Sequence, residues 1–123
     1  MPALTFELPI PGPALSPNAR GHWAVKAAAV KAARAAARGE AVRVLDSAGL
    51  RAPRWEKARY RAMLFHVGAR TPDPDNFLAS LKAYLDGLAD VGIVANDRGL
   101  WPERPEYRQV AIMPRVEITI EPE

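Results

Sequence analysis

A chain of 123 residues, 49% apolar and 25% charged, has the balance of one modest globular domain rather than of a disordered segment. It holds no cysteine, which excludes disulfides and thiolate metal sites, and no apolar run approaches the roughly 20 residues needed to cross a bilayer. Its 17 Lys and Arg against 14 Asp and Glu give a net charge of +3. The start, Met1 to Glu7, lacks the basic-then-apolar pattern of a signal peptide, so the expectation is a cytoplasmic protein with no membrane partner.

Leu4 to Leu8 alternates as a short strand, which Pro9-Ile10-Pro11-Gly12-Pro13 stops. A loop over 14–21 carries Ser16-Pro17-Asn18. Residues 22–38, alanine-rich and free of Pro and Gly, predict a helix with Val25, Ala29, Ala32 and Ala36 on its buried face and Lys31, Arg34 and Arg38 opposite. Gly39 reads as its stop, with a second short helix from Glu40 to about Ala48, ended by Gly49. Ala58 to Val67 reads as a strand with Tyr60, Leu64 and Phe65 inward. After Thr71-Pro72-Asp73-Pro74-Asp75, a helix is expected from Asn76 to about Ala89, with Phe77, Leu81, Tyr84, Leu85 and Leu88 in one apolar stripe. Gly92 permits a reversal, and Arg108 to Ile120 gives a closing strand in which Pro114 marks an edge or a bulge. These elements predict one α+β domain over residues 1–123: a small mixed sheet with two main helices.

Charge is unevenly placed. Arg20, Lys26, Lys31, Arg34 and Arg38 lie in a stretch without an acid, while Asp73 to Asp97 holds five aspartates against one lysine. A basic and an acidic segment in one small domain suit a polyanion gripped in one place and worked on in another. The tryptophans Trp23, Trp55 and Trp101 read first as core residues and only second as platforms for unpaired bases. His22 and His66 lack metal-ligand spacing, the serines lack a nucleophile motif, and no Gly-rich phosphate loop is present.

The informative stretch is Asp73-Pro74-Asp75-Asn76. A residue before proline is pushed into extended backbone, so Asp73 and Asp75 are expected to project to one side. On its own the pattern equally describes a stiff turn with a capping aspartate. Asp97 changes the balance. A 14-residue helix is ~21 Å long, and seven extended residues reach back at most ~23 Å, so a reversal at Gly92 predicts that Asp97 returns beside Asp73 and Asp75. Three carboxylates there need a cation, and an oxygen-only donor set favours Mg²⁺ or Mn²⁺. Such a cluster can activate water in a phosphodiester displacement. Lys82 is expected to lean from the same helix face toward the cluster and contact a phosphate. The same spacing also describes an ordinary Lys82–Asp86 surface pair.

Asp73-x-Asp75-Asn76, then Asp86-Gly87-Leu88, then Gly92-Ile93-Val94-Ala95-Asn96-Asp97 resemble the RusA-type Holliday junction resolvases. Leu15 to Trp23 with the basic helix after it resembles the N-terminal part of that family. The aspartate block is the specific portion, and phage and prophage members are nearest, as suits an Ala- and Arg-rich chain from a GC-rich actinobacterial host or its phage. The resemblance implies a homodimer that cuts four-way DNA junctions in recombination and repair with Mg²⁺. Its metal and catalytic carboxylates would be Asp73, Asp75 and Asp97, with Lys82 catalytic and Asn76, Asp86 and Asn96 in support. Asn18, Arg20, Lys26, Lys31, Arg34 and Arg38 would hold DNA. The family's lysine and a frequent aspartate are replaced here by Ala79 and Ala83, and the pair before Arg98 is Asn-Asp rather than Asp-Asp. Lys82 and Asp86 are the substitutes one turn on. The alternative is a DNA-binding dimer that keeps the fold and cuts weakly or not at all.

Overall fold

The computed structural model describes residues 2–123. β1 (Leu4–Leu8) buries Leu4, Phe6 and Leu8 and turns Thr5 and Glu7 outward, the period-two pattern of a strand with one covered face. A single 3-10 turn at Pro13–Leu15 follows the proline-rich stop. α1 (Trp23–Ala48) begins at His22, whose Nδ1 accepts from the Ala24 N–H, and ends at Gly49 in the left-handed conformation.

Two expectations about this segment are corrected. The helix runs unbroken through Gly39, because the stripe Ala33, Ala37, Ala41 and Leu45 continues its burial beyond that residue. The buried face is that stripe, not Val25, Ala29, Ala32 and Ala36: Val25, Ala32 and Ala36 are not buried, and Val25 is among the most exposed apolar residues. An alanine-rich helix carries almost no hydrophobic contrast around its circumference, so the partner decides which alanines go inside. That partner is chiefly a later helix, and a methyl placed on Gly87 would overlap the Arg34 carbonyl oxygen and lie 2.8 Å from Ala37 Cβ.

β2 (Ala58–His66) is the middle of the sheet, with strands paired on both of its sides, and its burial alternates with Arg59 and Arg61 outward. The strands run β1-β5-β2-β3, with β4 also on β2. β5 (Arg115–Pro122) is antiparallel to both β1 and β2, whereas β3 (Leu100–Pro102) and β4 (Glu106–Gln109) pair in parallel with successive parts of β2. Val116, Ile118 and Ile120 are fully buried. The single closing strand expected over Arg108–Ile120 is therefore two strands of opposite sense, and Val110–Pro114 is a reversal in which Met113 takes a φ of 60°.

The second helical run is also divided. α2 (Pro74–Ser80) and α3 (Lys82–Val91) meet at Leu81, where φ is −89° and ψ is −3°. Ser80 Oγ donates to the Phe77 carbonyl at 2.6 Å and so competes with the helical ladder at that point. Phe77, Leu81, Tyr84, Leu85 and Leu88 are all buried, as the stripe predicts. The whole is one α+β domain with a mixed sheet and three helices. No helix among the described residues is long and apolar enough to cross a membrane.

The outer edge of β1 is sealed from within the chain. The Glu7 N–H donates to Glu40 Oε2 at 2.8 Å, and Arg43 holds that carboxylate through contacts of 2.6 and 3.0 Å. A charged side chain occupying an edge donor discourages pairing with another strand.

Candidate functional site

After α3 the chain reverses at Gly92, whose φ is 95°. Residues 92–95 then zip against 54–55: Arg54 N–H donates to Gly92 O at 2.7 Å, Trp55 N–H to Ile93 O at 3.2 Å, and Ala95 N–H to Trp55 O at 2.8 Å. A 3-10 turn at Asp97–Gly99 follows, capped by Asn96, whose Oδ1 accepts from the Arg98 N–H at 2.9 Å. Gly99 seats this turn on the start of β2, because a methyl there would overlap the Glu56 carbonyl oxygen.

Asp97 does return to the helical run, but to α3. Its Oδ2 accepts from Lys82 Nζ at 2.5 Å, and the same ammonium donates to Asp86 Oδ1 at 2.9 Å. The Lys82 contact holds the Asp97 carboxyl below its usual range, and Asp97 and then Asp86 hold the Lys82 ammonium above its own. Lys82 is thus a fixed cation at neutral pH, suited to binding a phosphate rather than to removing a proton.

Asp73 and Asp75 stand at the start of α2, both exposed. Tyr107 marks the neighbourhood of Asp73: its hydroxyl donates to Pro72 O at 3.2 Å, and burial together with the Asp73 charge pushes its phenol up. Asp75 precedes Lys82 by seven residues, or ~10 Å of helical rise. The predicted meeting of Asp97 with Asp73 and Asp75 is therefore replaced by a meeting with Lys82 and Asp86. The cause is the pairing of 92–95 with 54–55, which commits to a bridge the extended residues that a free return would use for reach. Among the described residues, no three His, Cys, Asp or Glu form a group able to hold a metal ion. The donor set is right in kind for Mg²⁺ or Mn²⁺, being carboxylate oxygen throughout, and the Asp86–Asp97 pair already binds one cation in Lys82.

Asn76 lines a cavity of about 350 Å³ between the proline-rich loop and the end of β2, with Pro11, Ser16, His66 and Phe77 on its walls. Ala83 is buried. An acid at position 83 would be buried in this fold, whereas Lys82 is exposed.

The basic set divides. Arg34 grips Asp90 through two bonds of 2.6 and 2.7 Å, and Arg38 adds a third at 3.1 Å. Arg34 then Arg38 hold the Asp90 carboxyl at about 2, and Asp90 raises the Arg34 guanidinium above its ordinary value. Arg34 and Arg38, expected to hold DNA, are instead engaged in fastening α1 to α3. Asn18, Lys26 and Lys31 are exposed and Arg20 stands at the surface, and no ion pair engages Arg20, Lys26 or Lys31 among the described residues. Lys26 lines a groove of about 270 Å³ that also contains Pro17, Ala79, Lys82 and Asp86, so the first turns of α1 face the Lys82–Asp86 pair. Sequence reasoning missed Asp90, Gly87 and Gly99. The four-residue step from Asp86 to Asp90 was a usable signal for the first; the two glycines show their role only against partners distant in sequence.

No model of a known protein family matches the chain. An 86-residue stretch is 41% identical to a protein of Xylella fastidiosa (strain Temecula1 / ATCC 700964) described as "Uncharacterized protein". The match covers 70% of this chain and 56% of that protein, so this chain spans little more than half of that relative's length.

Proposed function

We propose that this protein is a RusA-like, Mg²⁺-dependent, structure-selective DNA endonuclease that works as a homodimer on four-way junctions in recombination and repair. The observation that carries the reading is the return of Asp97 to the helical run that begins with Asp73-Pro74-Asp75-Asn76, where it meets Lys82 and Asp86. Two of the chain's acids and its one lysine in that region are gathered from α3 and the turn that follows it, beside a groove that Lys26 of α1 also lines.

Asp73, Asp75 and Asp97 do not form a group able to hold an ion as they stand; they are the residues that would have to be drawn together to hold one, and the ion would then supply an activated water and neutralise charge on the scissile phosphate. Lys82 stays cationic and, once an ion takes Asp97 from it, would be turned toward a phosphate oxygen. Arg20, Lys26 and Lys31 hold the sugar-phosphate backbone, giving affinity without reading base sequence. The zipped 92–95 segment and the Asn96 cap fix Asp97 in place.

The test is cleavage of an end-labelled four-way junction with and without Mg²⁺. Asp75→Asn is expected to abolish cleavage and leave junction retardation in a gel intact; an Asp75→Asn protein that cuts at the wild-type rate removes the mechanism. A second reading, a DNA-binding dimer without catalysis, is favoured by the Lys82 ammonium already neutralising Asp86 and Asp97. Retardation of the junction with no nicks at any Mg²⁺ or Mn²⁺ concentration would establish it.

A further inference from the structure

Trp23, the first residue of α1, is 76% exposed, and Trp101 is 62% exposed. Of the three tryptophans only Trp55 packs against the core. A single exposed indole is ordinary on a protein surface, but Trp23 does not stand alone. It stacks on His22, with ring centroids 5.5 Å apart and planes 29° apart. His22 is in turn held by its bond to the Ala24 N–H, so the two-ring platform is fixed before any ligand arrives.

The platform walls a cavity of about 290 Å³ shared with Ala19, Arg20, Gly21, Val25 and Lys26. The volume is of the order of a small-molecule site. Its polar lining is cationic, and no acid occurs in the sequence between Glu7 and Glu40. A flat apolar face, two unpaired cations and no carboxylate are complementary to one ligand chemistry, an aromatic base carrying a phosphate. Lys26 supplies the direction: it also lines the adjoining groove with Lys82 and Asp86. A strand whose phosphate sits at Lys26 would pass from the tryptophan platform toward the acidic cluster.

We infer that the Trp23 cavity is a subsite for one unpaired DNA nucleotide, with its base stacked on Trp23 and its phosphate held by Arg20 and Lys26. The assignment rests on the endonuclease reading for its choice of DNA, and it gives that reading a reason to prefer branched substrates: a base released at a branch point has a place to go.

The test uses the intact protein in EDTA, so that binding is measured without cleavage. The probes are a 12-nucleotide oligothymidylate and a 12-base-pair duplex, followed by fluorescence anisotropy. Trp23→Ala is expected to weaken oligothymidylate binding about fivefold or more, since one stacked base is worth about 1–3 kcal/mol. Duplex binding should move less than twofold, and Trp23→Phe should retain most of the single-strand affinity. Trp101→Ala, exposed but outside this cavity, is the control and should change neither. Equal loss on both probes, or no loss on either, overturns the subsite. Circular dichroism of each variant guards against misfolding. Cleavage assays in Mg²⁺ are separate: absence of cleavage with a selective Trp23 effect sinks the nuclease and keeps the subsite, and the reverse pattern sinks the subsite alone.

Discussion

The position of Asp97 is decided by a residue with no side chain. Gly99 lies so close to the Glu56 carbonyl that a methyl cannot enter without displacing the 97–99 turn. Gly99→Ala is expected to destabilise the fold by about 1–3 kcal/mol, the usual cost of overpacking, and to lower junction cleavage more than its effect on melting explains, because Asp97 moves off Lys82. Urea unfolding and a cleavage time course check the two parts. A second expectation concerns Asp90. Its carboxyl is lowered from 3.8 to about 2 by Arg34 and Arg38. A depressed carboxylate contributes stability that is present above the unfolded value and is lost as the pH falls through the folded one. The wild-type protein should therefore lose stability between about pH 4 and pH 2, and Asp90→Asn should flatten that part of the profile. Carboxyl titration by NMR would give the folded value directly. Why Arg34 and Arg38 were unreadable as Asp90's partners is plain: ion pairs between residues more than 50 apart in sequence leave no local trace, whereas i, i+4 spacing made Lys82–Asp86 legible.

At the scale of elements, the strands β1 and β2 and the apolar stripe of Phe77 to Leu88 were legible because their periodicity contrasts buried with exposed residues. α1 was not, because its alanines look alike on every side and a lone glycine reads locally as a stop. Gly39 sits in mid-helix, and a methyl added there would have nothing within 4 Å. Gly39→Ala should therefore stabilise the protein by roughly 0.5–1 kcal/mol through the helix propensity of alanine, read as a rise in the urea midpoint at constant slope. Gly87→Ala is the opposite case, since its methyl would strike the Arg34 carbonyl and Ala37. It should destabilise by about 1–3 kcal/mol and loosen the Arg34–Asp90 pair. The division between β4 and β5 was hidden for a different reason. Alternation marks a strand but not its direction, and only the chain reversal at Val110–Pro114 separates one from the other.

For the molecule as a whole, the sorting of cations makes a quantitative statement about DNA binding. With Arg34 and Arg38 tied to Asp90, the α1 surface offers Arg20, Lys26 and Lys31 to a backbone. Each neutralised phosphate contributes a slope of about −0.9 to log K against log salt, so a protomer using these three should give a slope of about −3. Measuring binding of a 12-base-pair duplex across salt concentrations checks this. A slope of twice that size would mean that both protomers of a dimer, or further cations of each, join the grip. The α+β fold class was legible in the mixture of strand and helix patterns. The relative placing of the aspartates was not, because it depends on how far a short segment runs before it is captured by a neighbour.

That capture has a mechanical consequence. Asp97 stands on a post: backbone bonds to 54–55 below it, a cap at Asn96, and a glycine seat on Glu56 and Lys57 just before β2. Asp73 and Asp75 sit instead at the far end of a connection that leaves β2 at Val67, where Gln109 Nε2 donates to Val67 O and His66 Nδ1 meets Gly68 O, and that is held near the aspartates by the Tyr107 hydroxyl on Pro72. If an ion draws all three acids together, the stationary side of the clasp is the C-terminal one, and the travelling side is the proline-stiffened arm. Slow amide exchange at Trp55 and Ala95, unaltered by Mg²⁺, beside Mg²⁺-sensitive exchange at the α2 entrance would be the signature of that division of labour.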